Sequence, residues 1–106
     1  MPSREEDSMH LAARHGEPDR IVACLAEGEE VDSLDARGRT PLLIACRFGR
    51  LSAARALLAA GARVNLGTRE GTPLEIVLGN ARPDSTLVRE LVVAGADLGH
   101  RGVFSV

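Results

Sequence analysis

The chain contains no lysine, tryptophan or tyrosine, and its 106 residues include only two phenylalanines and two cysteines. Without a large aromatic nucleus, the core has to be assembled from Leu, Val, Ala and Ile. That composition favours thin layers of small side chains over one thick globular centre. The missing lysine leaves Arg as the sole basic residue, which points to a GC-rich, bacterial genome. It also removes any Lys run of the kind that tracks a phosphate backbone. The formal net charge of −2 gives no global attraction to nucleic acid or to an anionic membrane. No apolar stretch reaches membrane-spanning length, and Met1–Asp7 has no apolar segment of the signal-peptide kind, so a cytoplasmic protein with no membrane partner is expected. Cys24 and Cys46 stand far apart among apolar helical residues, without the close Cys/His pairing of a zinc site, and are expected to be buried thiols. There is no H-E-x-x-H, no Gly-rich phosphate loop with Lys and no nucleophile elbow. The expectation is therefore a protein that is not an enzyme and uses no metal or cofactor.

What the chain does have is concentrated in residues 38–65. Thr40 is a good helix N-cap, because its hydroxyl can accept from the free amides of the first turn. Pro41 follows at the first helical position, where its missing N–H costs nothing. Leu42, Ile44 and Ala45 make a short apolar helix that Gly49 stops. Leu51 to Ala60 reads as a second helix with Leu51, Ala54, Leu57 and Leu58 on one face. Gly61 stands just past its end, where a left-handed residue is wanted. Two helices this short cannot bury their apolar faces on each other alone, so the unit needs neighbours.

The neighbours are present as repeats. Gly16 recurs as Gly49, Gly28 as Gly61 and Gly95, Val31 as Val64 and Leu98, and Ala12 as Ala45. The spacing is mostly 33 residues and becomes 34 in the last steps. In the first unit Asp7 stands where Thr40 stands, and Met9–Gly16 and Pro18–Glu27 are the two helices. Ser3, with Glu6 three residues on, reads as a further N-terminal cap. Asp35-Ala-Arg-Gly38 reads as a tight turn ahead of the second unit. The third unit opens with Thr72-Pro73-Leu74-Glu75, a capping box. Its first helix is expected to end near Asn80. Residues 82–85 then insert two residues and a new cap before the helix that contains Leu87–Ala94.

These residues resemble the ankyrin-repeat pattern D-x-x-G-x-T-P-L-H-x-A-x-x-x-G followed by an apolar helix ending L-L-x-x-G-A-D-V-N. Asp35, Gly38, Thr40, Pro41, Leu42, Ala45, Gly49, Leu57, Leu58, Gly61, Ala62, Val64 and Asn65 carry it in the second unit. The first unit matches at His10, Ala12, Gly16, Leu25, Gly28, Val31 and Asp32 but lacks Thr-Pro. The third matches at Thr72, Pro73, Leu74, Leu91, Gly95, Ala96, Asp97 and Leu98 but lacks the Gly after its first helix. The resemblance implies an all-α solenoid of three stacked helix-turn-helix units with hairpin-like turns between them. The repeats are expected at about 5–33, 34–66 and 67–99 of a single domain, 1–106, with a tail at 100–106. Three units lie at the lower limit for such a stack. The resemblance further implies a structural hydrogen bond from His10. Asn65 stands at a site hydroxylated in some ankyrin repeats; Leu57 fits that pattern, Arg63 does not, and a turn-stabilising role is expected.

The resemblance implies a concave face, formed by the turns and first helices, that binds other proteins. Its usual contact positions fall on Ala36, Arg37, Arg39, Arg47 and Phe48 in the second unit. In the first they fall on Arg4, Glu6, Arg14 and His15, and in the third on Thr68, Arg69, Gly79 and Asn80. The expected partner-binding set is Arg14, His15, Arg37, Arg39, Arg47, Phe48, Arg69 and Asn80. Such an Arg-rich face with one aromatic suits a protein partner with an acidic surface rather than nucleic acid. Glu17, Asp19, Glu27, Glu29, Glu30, Asp84 and Glu90 fall on second helices and the turns beside them, so the back of the stack is expected to be the more acidic side. The apolar tail residues Val103, Phe104 and Val106 are expected to fold back as a cap on the last helix pair; the alternative expectation is a self-assembling unit that oligomerises through its C-terminal repeat face and that tail.

Overall fold

A computed structural model describes residues 8–96, which form six helices: α1 Ser8–His15, α2 Pro18–Ala26, α3 Pro41–Arg47, α4 Leu51–Ala59, α5 Pro73–Leu78 and α6 Ser85–Val93. The expected caps at Ser3 and Asp7, contacts at Arg4 and Glu6, repeat matches at Asp97 and Leu98, and apolar tail Val103, Phe104 and Val106 lie outside the described residues.

Local chemistry fixes the helix starts. Thr40 accepts from the Leu43 amide at 3.1 Å, with Pro41 in the first turn. Thr72 does the same for Glu75 at 3.2 Å, and the Glu75 carboxylate returns the favour to the Thr72 amide at 3.0 Å, completing the capping box. In the inserted segment Asp84 caps α6 by accepting from Thr86 and Leu87 at 2.9 and 3.2 Å. Helix ends are equally local. Gly61 takes φ +95° just past α4, a conformation that strains any side chain with a Cβ. Helix α5 stops at Leu78, two residues earlier than Asn80, and no left-handed glycine follows it as Gly16 follows α1 and Gly49 closes α3. Gly79 caps it with ordinary right-handed dihedrals instead.

The helices pack in two layers. α1, α3 and α5 stack side by side in one, and α2, α4 and α6 in the other, with each pair also closed on itself. One core runs through both layers. It includes Met9, Ile21, Leu42, Ile44, Leu57, Leu74, Val77, Leu87 and Leu91, all at most 3 % exposed. Ala12, Ala13, Ala45, Ala53 and Ala54 are completely buried between them and let the short helices approach closely. Each buried Leu or Ile contributes roughly 1.5–3 kcal/mol relative to exposure. On α4 the buried positions are Ala53, Ala54 and Leu57, whereas Leu51 and Leu58 are half-buried. The helix touches α2, α3 and α6, so its buried stripe is centred on Ala53 and Ala54 and not on the Leu51–Leu58 edge. Phe48 takes no part in the core.

Candidate partner-binding face

The turns 35–39 and 68–71 lead directly into α3 and α5, and their chemistry decides what they display. In residues 35–39 the Asp35 amide donates to the Arg39 carbonyl at 3.0 Å and the Gly38 amide to the Asp35 carbonyl at 2.9 Å. One Asp35 carboxylate oxygen accepts from the amides of Arg37 and Arg39, each at 2.9 Å. The other oxygen takes the Arg39 guanidinium Nε at 3.0 Å. The next turn is one residue shorter. Thr68 and Gly71 exchange backbone hydrogen bonds at 3.0 and 2.9 Å, and the Thr68 hydroxyl accepts from the Glu70 amide at 3.1 Å. A hydroxyl thus replaces the carboxylate, and the slot of Arg39 is absent.

This geometry corrects the expected contact set at Arg39. Its side chain is 6 % exposed and folded back onto an Asp35 carboxylate that is 2 % exposed. Arg39 holds the turn from inside, so its guanidinium is not offered to a partner. Burial alone would raise the Asp35 pKa. The Arg39 and Arg37 amides and the Arg39 guanidinium outweigh it and hold the carboxyl below its ordinary value.

The other candidates are distributed as follows. Arg37 and Arg69 are exposed on the two turns. Arg47, in the last turn of α3, is exposed and ion-paired across the stack to Glu70, Nη1 to Oε1 at 2.9 Å. Phe48 follows as the C-cap residue, 42 % exposed, with the Arg14 guanidinium 5.2 Å from its ring centroid. That cation–π contact joins the ends of α1 and α3. His15 is exposed beside Arg14. Asn80 is half-buried, and its amide donates to the Val77 carbonyl at 3.1 Å. Residues far apart in sequence are therefore brought together pairwise: Arg14 with Phe48, and Arg47 with Glu70.

Two contributors escaped the sequence. Glu70 sits 23 residues from Arg47, a separation that only stacking of units closes. Arg50 lays its side chain over Gly16, where a Cβ would lie 3.1 Å from Arg50 Cδ, and its Nε donates to the Arg14 carbonyl at 2.9 Å. It thereby satisfies a carbonyl in the last turn of α1. The signal for Arg50 was its place directly after the repeat glycine.

The second-helix layer is mixed in charge and not simply acidic. Asp19 and Glu27 are exposed there and Glu17 is half-buried, but Arg20, Arg55 and Arg89 are exposed too. Arg20 pairs with Glu17 at 3.2 Å and Arg55 with Glu90 at 3.1 Å. Both cysteines are free and buried. Burial pushes the Cys46 thiol up to about 12. Burial, with Glu29 and Glu27 nearby, raises that of Cys24. Neither is a thiolate nucleophile at neutral pH. Among the described residues no helix is long and apolar enough to cross a membrane, and no cluster of three or more His, Cys, Asp or Glu is placed to hold a metal.

The model of the family "Ankyrin repeats (3 copies)" matches residues 9–101. The chain belongs to the ankyrin-repeat family. Among curated proteins it is similar to the E3 ubiquitin-protein ligase KEG of Arabidopsis thaliana, 35 % identical over 96 residues, which is 87 % of this chain and 6 % of that protein. It is also similar to the putative ankyrin repeat protein YahD of Escherichia coli K12, 32 % identical over 89 residues, 83 % of this chain and 43 % of YahD. The chain thus spans less than half the length of either relative. Ankyrin repeats are generally protein–protein interaction modules, and the family is typically non-enzymatic. In this ankyrin stack the family's conserved-pattern residues Thr40, Pro41, Leu42 and Ala45 are buried, and the residues that the pattern leaves free at Arg37, Arg47, Phe48 and Arg69 are exposed.

Proposed function

We propose that this chain is a non-enzymatic module that binds a partner protein with an acidic surface through the turns and first-helix ends. Arg37, Arg47, Arg69 and the Arg14–Phe48 stack are its centre, with His15 and Asn80 at the rim. The observation that carries this reading is the exposure of Arg37, Arg47 and Arg69 along one layer whose only exposed acid in the turns 35–39 and 68–71 is Glu70. Arg presents several donors to a carboxylate at once, and Phe48 adds an apolar anchor beside them. A cytoplasmic setting belongs to the same reading and is supported by the two free, buried cysteines, which suit a reducing compartment.

The test is binding of a fluorescein-labelled, Glu-rich peptide followed by anisotropy. Affinity falls as salt rises, because exposed pairs are screened over a Debye length of about 8 Å at physiological ionic strength. Arg37→Glu combined with Arg47→Glu weakens binding roughly tenfold, corresponding to about 1.4 kcal/mol. Salt-independent binding that ignores the double reversal sinks the reading. Arg39→Glu is no test of it, since that change breaks a buried ion pair.

A second reading, self-association, is supported by apolar exposure on the last described helix pair. Leu78, Val92 and Val93 are 44, 52 and 78 % exposed. The counterpart of Leu78 one unit earlier, Cys46, is fully buried, and that of Val92, Leu58, is half-buried. Self-association through this face gives a mass above that of the monomer in light scattering, returning to the monomer for Val92→Ser with Val93→Ser. A monomer at every concentration excludes it.

A further inference from the structure

Two ion pairs of similar geometry bridge neighbouring units on opposite layers. Arg47 and Glu70 meet at 2.9 Å with side chains 46 and 32 % exposed, on the candidate face. Arg55 and Glu90 meet at 3.1 Å with side chains 54 and 32 % exposed, on the second-helix layer. Glu70 departs from a fixed backbone, because its amide is held by the Thr68 hydroxyl within a turn closed by two backbone hydrogen bonds. From there it reaches back to the last turn of α3 and places a carboxylate on the cation that an acidic partner would contact. Its chain neighbour is the exposed Arg69.

Resting on the protein-binding reading above, we propose that Glu70 is an intramolecular stand-in for the partner's carboxylate, occupying Arg47 in the free protein and selecting for multiply acidic segments. A single incoming carboxylate merely exchanges with Glu70 on Arg47, so little affinity is gained. A segment carrying several carboxylates displaces Glu70 and also engages Arg37 and Arg69, and the added pairs provide the net gain. Displacing Glu70 lowers the affinity of both by the same factor, so a singly charged segment is left with almost none and only a multiply charged one binds measurably.

The experiment compares the wild type with Glu70→Gln and Glu90→Gln, using the same Glu-rich peptide at low salt. Both variants lose one negative charge, so the change in net charge is the same in each, and an Arg47→Gln background separates release of the pair from the nearer position of Glu70. Glu70→Gln is expected to bind about two- to fivefold more tightly than Glu90→Gln, the range that releasing one exposed pair allows. With Arg47→Gln in the background, the advantage of Glu70→Gln disappears, as a double-mutant cycle requires. A peptide of equal length with one Glu is expected to gain by a similar factor from Glu70→Gln and to remain the weaker ligand. Equal affinities for the two Gln variants, or an advantage that persists without Arg47, overturn the role of Glu70 while leaving the acidic-partner reading intact. Failure of the wild type to bind the Glu-rich peptide overturns both, and tighter binding of a single-stranded oligonucleotide of equal charge overturns the assignment of partner chemistry.

Discussion

Asp35→Ala is expected to lower unfolding free energy by about 3–5 kcal/mol, the usual consequence of removing one partner from a buried ion pair. The carboxylate is 2 % exposed and does three jobs: it accepts from two backbone amides and holds the Arg39 guanidinium, itself 6 % exposed. Alanine withdraws all of these at once, and the Arg39 guanidinium among them is a charge that water barely reaches. Natural domains have only about 5–15 kcal/mol in total, and a three-unit stack has few interfaces over which to spread the loss. Urea unfolding monitored by far-UV circular dichroism measures it as a fall in midpoint. Asp35→Ala combined with Arg39→Met is expected to recover the part due to the stranded guanidinium and not the part due to the turn amides. A double variant no better than the single one shows that the turn amides carry the whole effect.

The same contact fixes a pH dependence. The folded pKa of Asp35 lies below its unfolded value, which is about 3.9 for an aspartate. Its contribution is therefore fully present above that value and is lost as pH falls through the lower folded pKa. Asp35→Asn, which cannot ionise, flattens this acid limb in proportion.

Most of the fold is legible because its signals are short-range. Thr40 and Thr72 declare helix starts within three residues, Gly61 declares an end by itself, and the 33-residue recurrence supplies the stacking that single units lack. What could be misplaced was the side-chain direction at positions where the backbone pattern is silent. Arg39 stands one residue before Thr40, next to a turn tip, and a charged residue there reads as exposed. Its burial follows from a carboxylate four residues earlier that folds back within the turn, and turns carry no side-chain register comparable to the i,i+4 rule of a helix. Glu70 was missed for the complementary reason. Its partner lies in another unit, and nothing in either segment alone brings them together. Counting Glu and Asp on second helices also left out Arg20, Arg55 and Arg89, which are interleaved with them.

His10 sharpens the point about turns and carries the second large effect. It is fully buried, and its Nε2 lies 3.1 Å from the Ser33 carbonyl and 2.9 Å from the Arg39 carbonyl. Both partners are acceptors, so Nε2 carries the proton and donates to both, which assigns the tautomer. The side chain ties α1 to the turn that displays Arg37. The equivalent position is Leu43 in the second unit, fully buried, and Glu75 in the third, turned onto the Thr72 amide. Both turns close on backbone hydrogen bonds of their own, but the turn 35–39 also leans on a histidine from the preceding unit. His10→Ala leaves the two carbonyls without this donor and opens a cavity where the buried ring stood, for a combined cost of roughly 2–4 kcal/mol. Amide exchange at Asp35 and Gly38, whose hydrogen bonds close that turn, should quicken more than exchange at Thr68 and Gly71. Equal acceleration in both turns would mean that the histidine supports the stack as a whole and not the turn bearing Arg37.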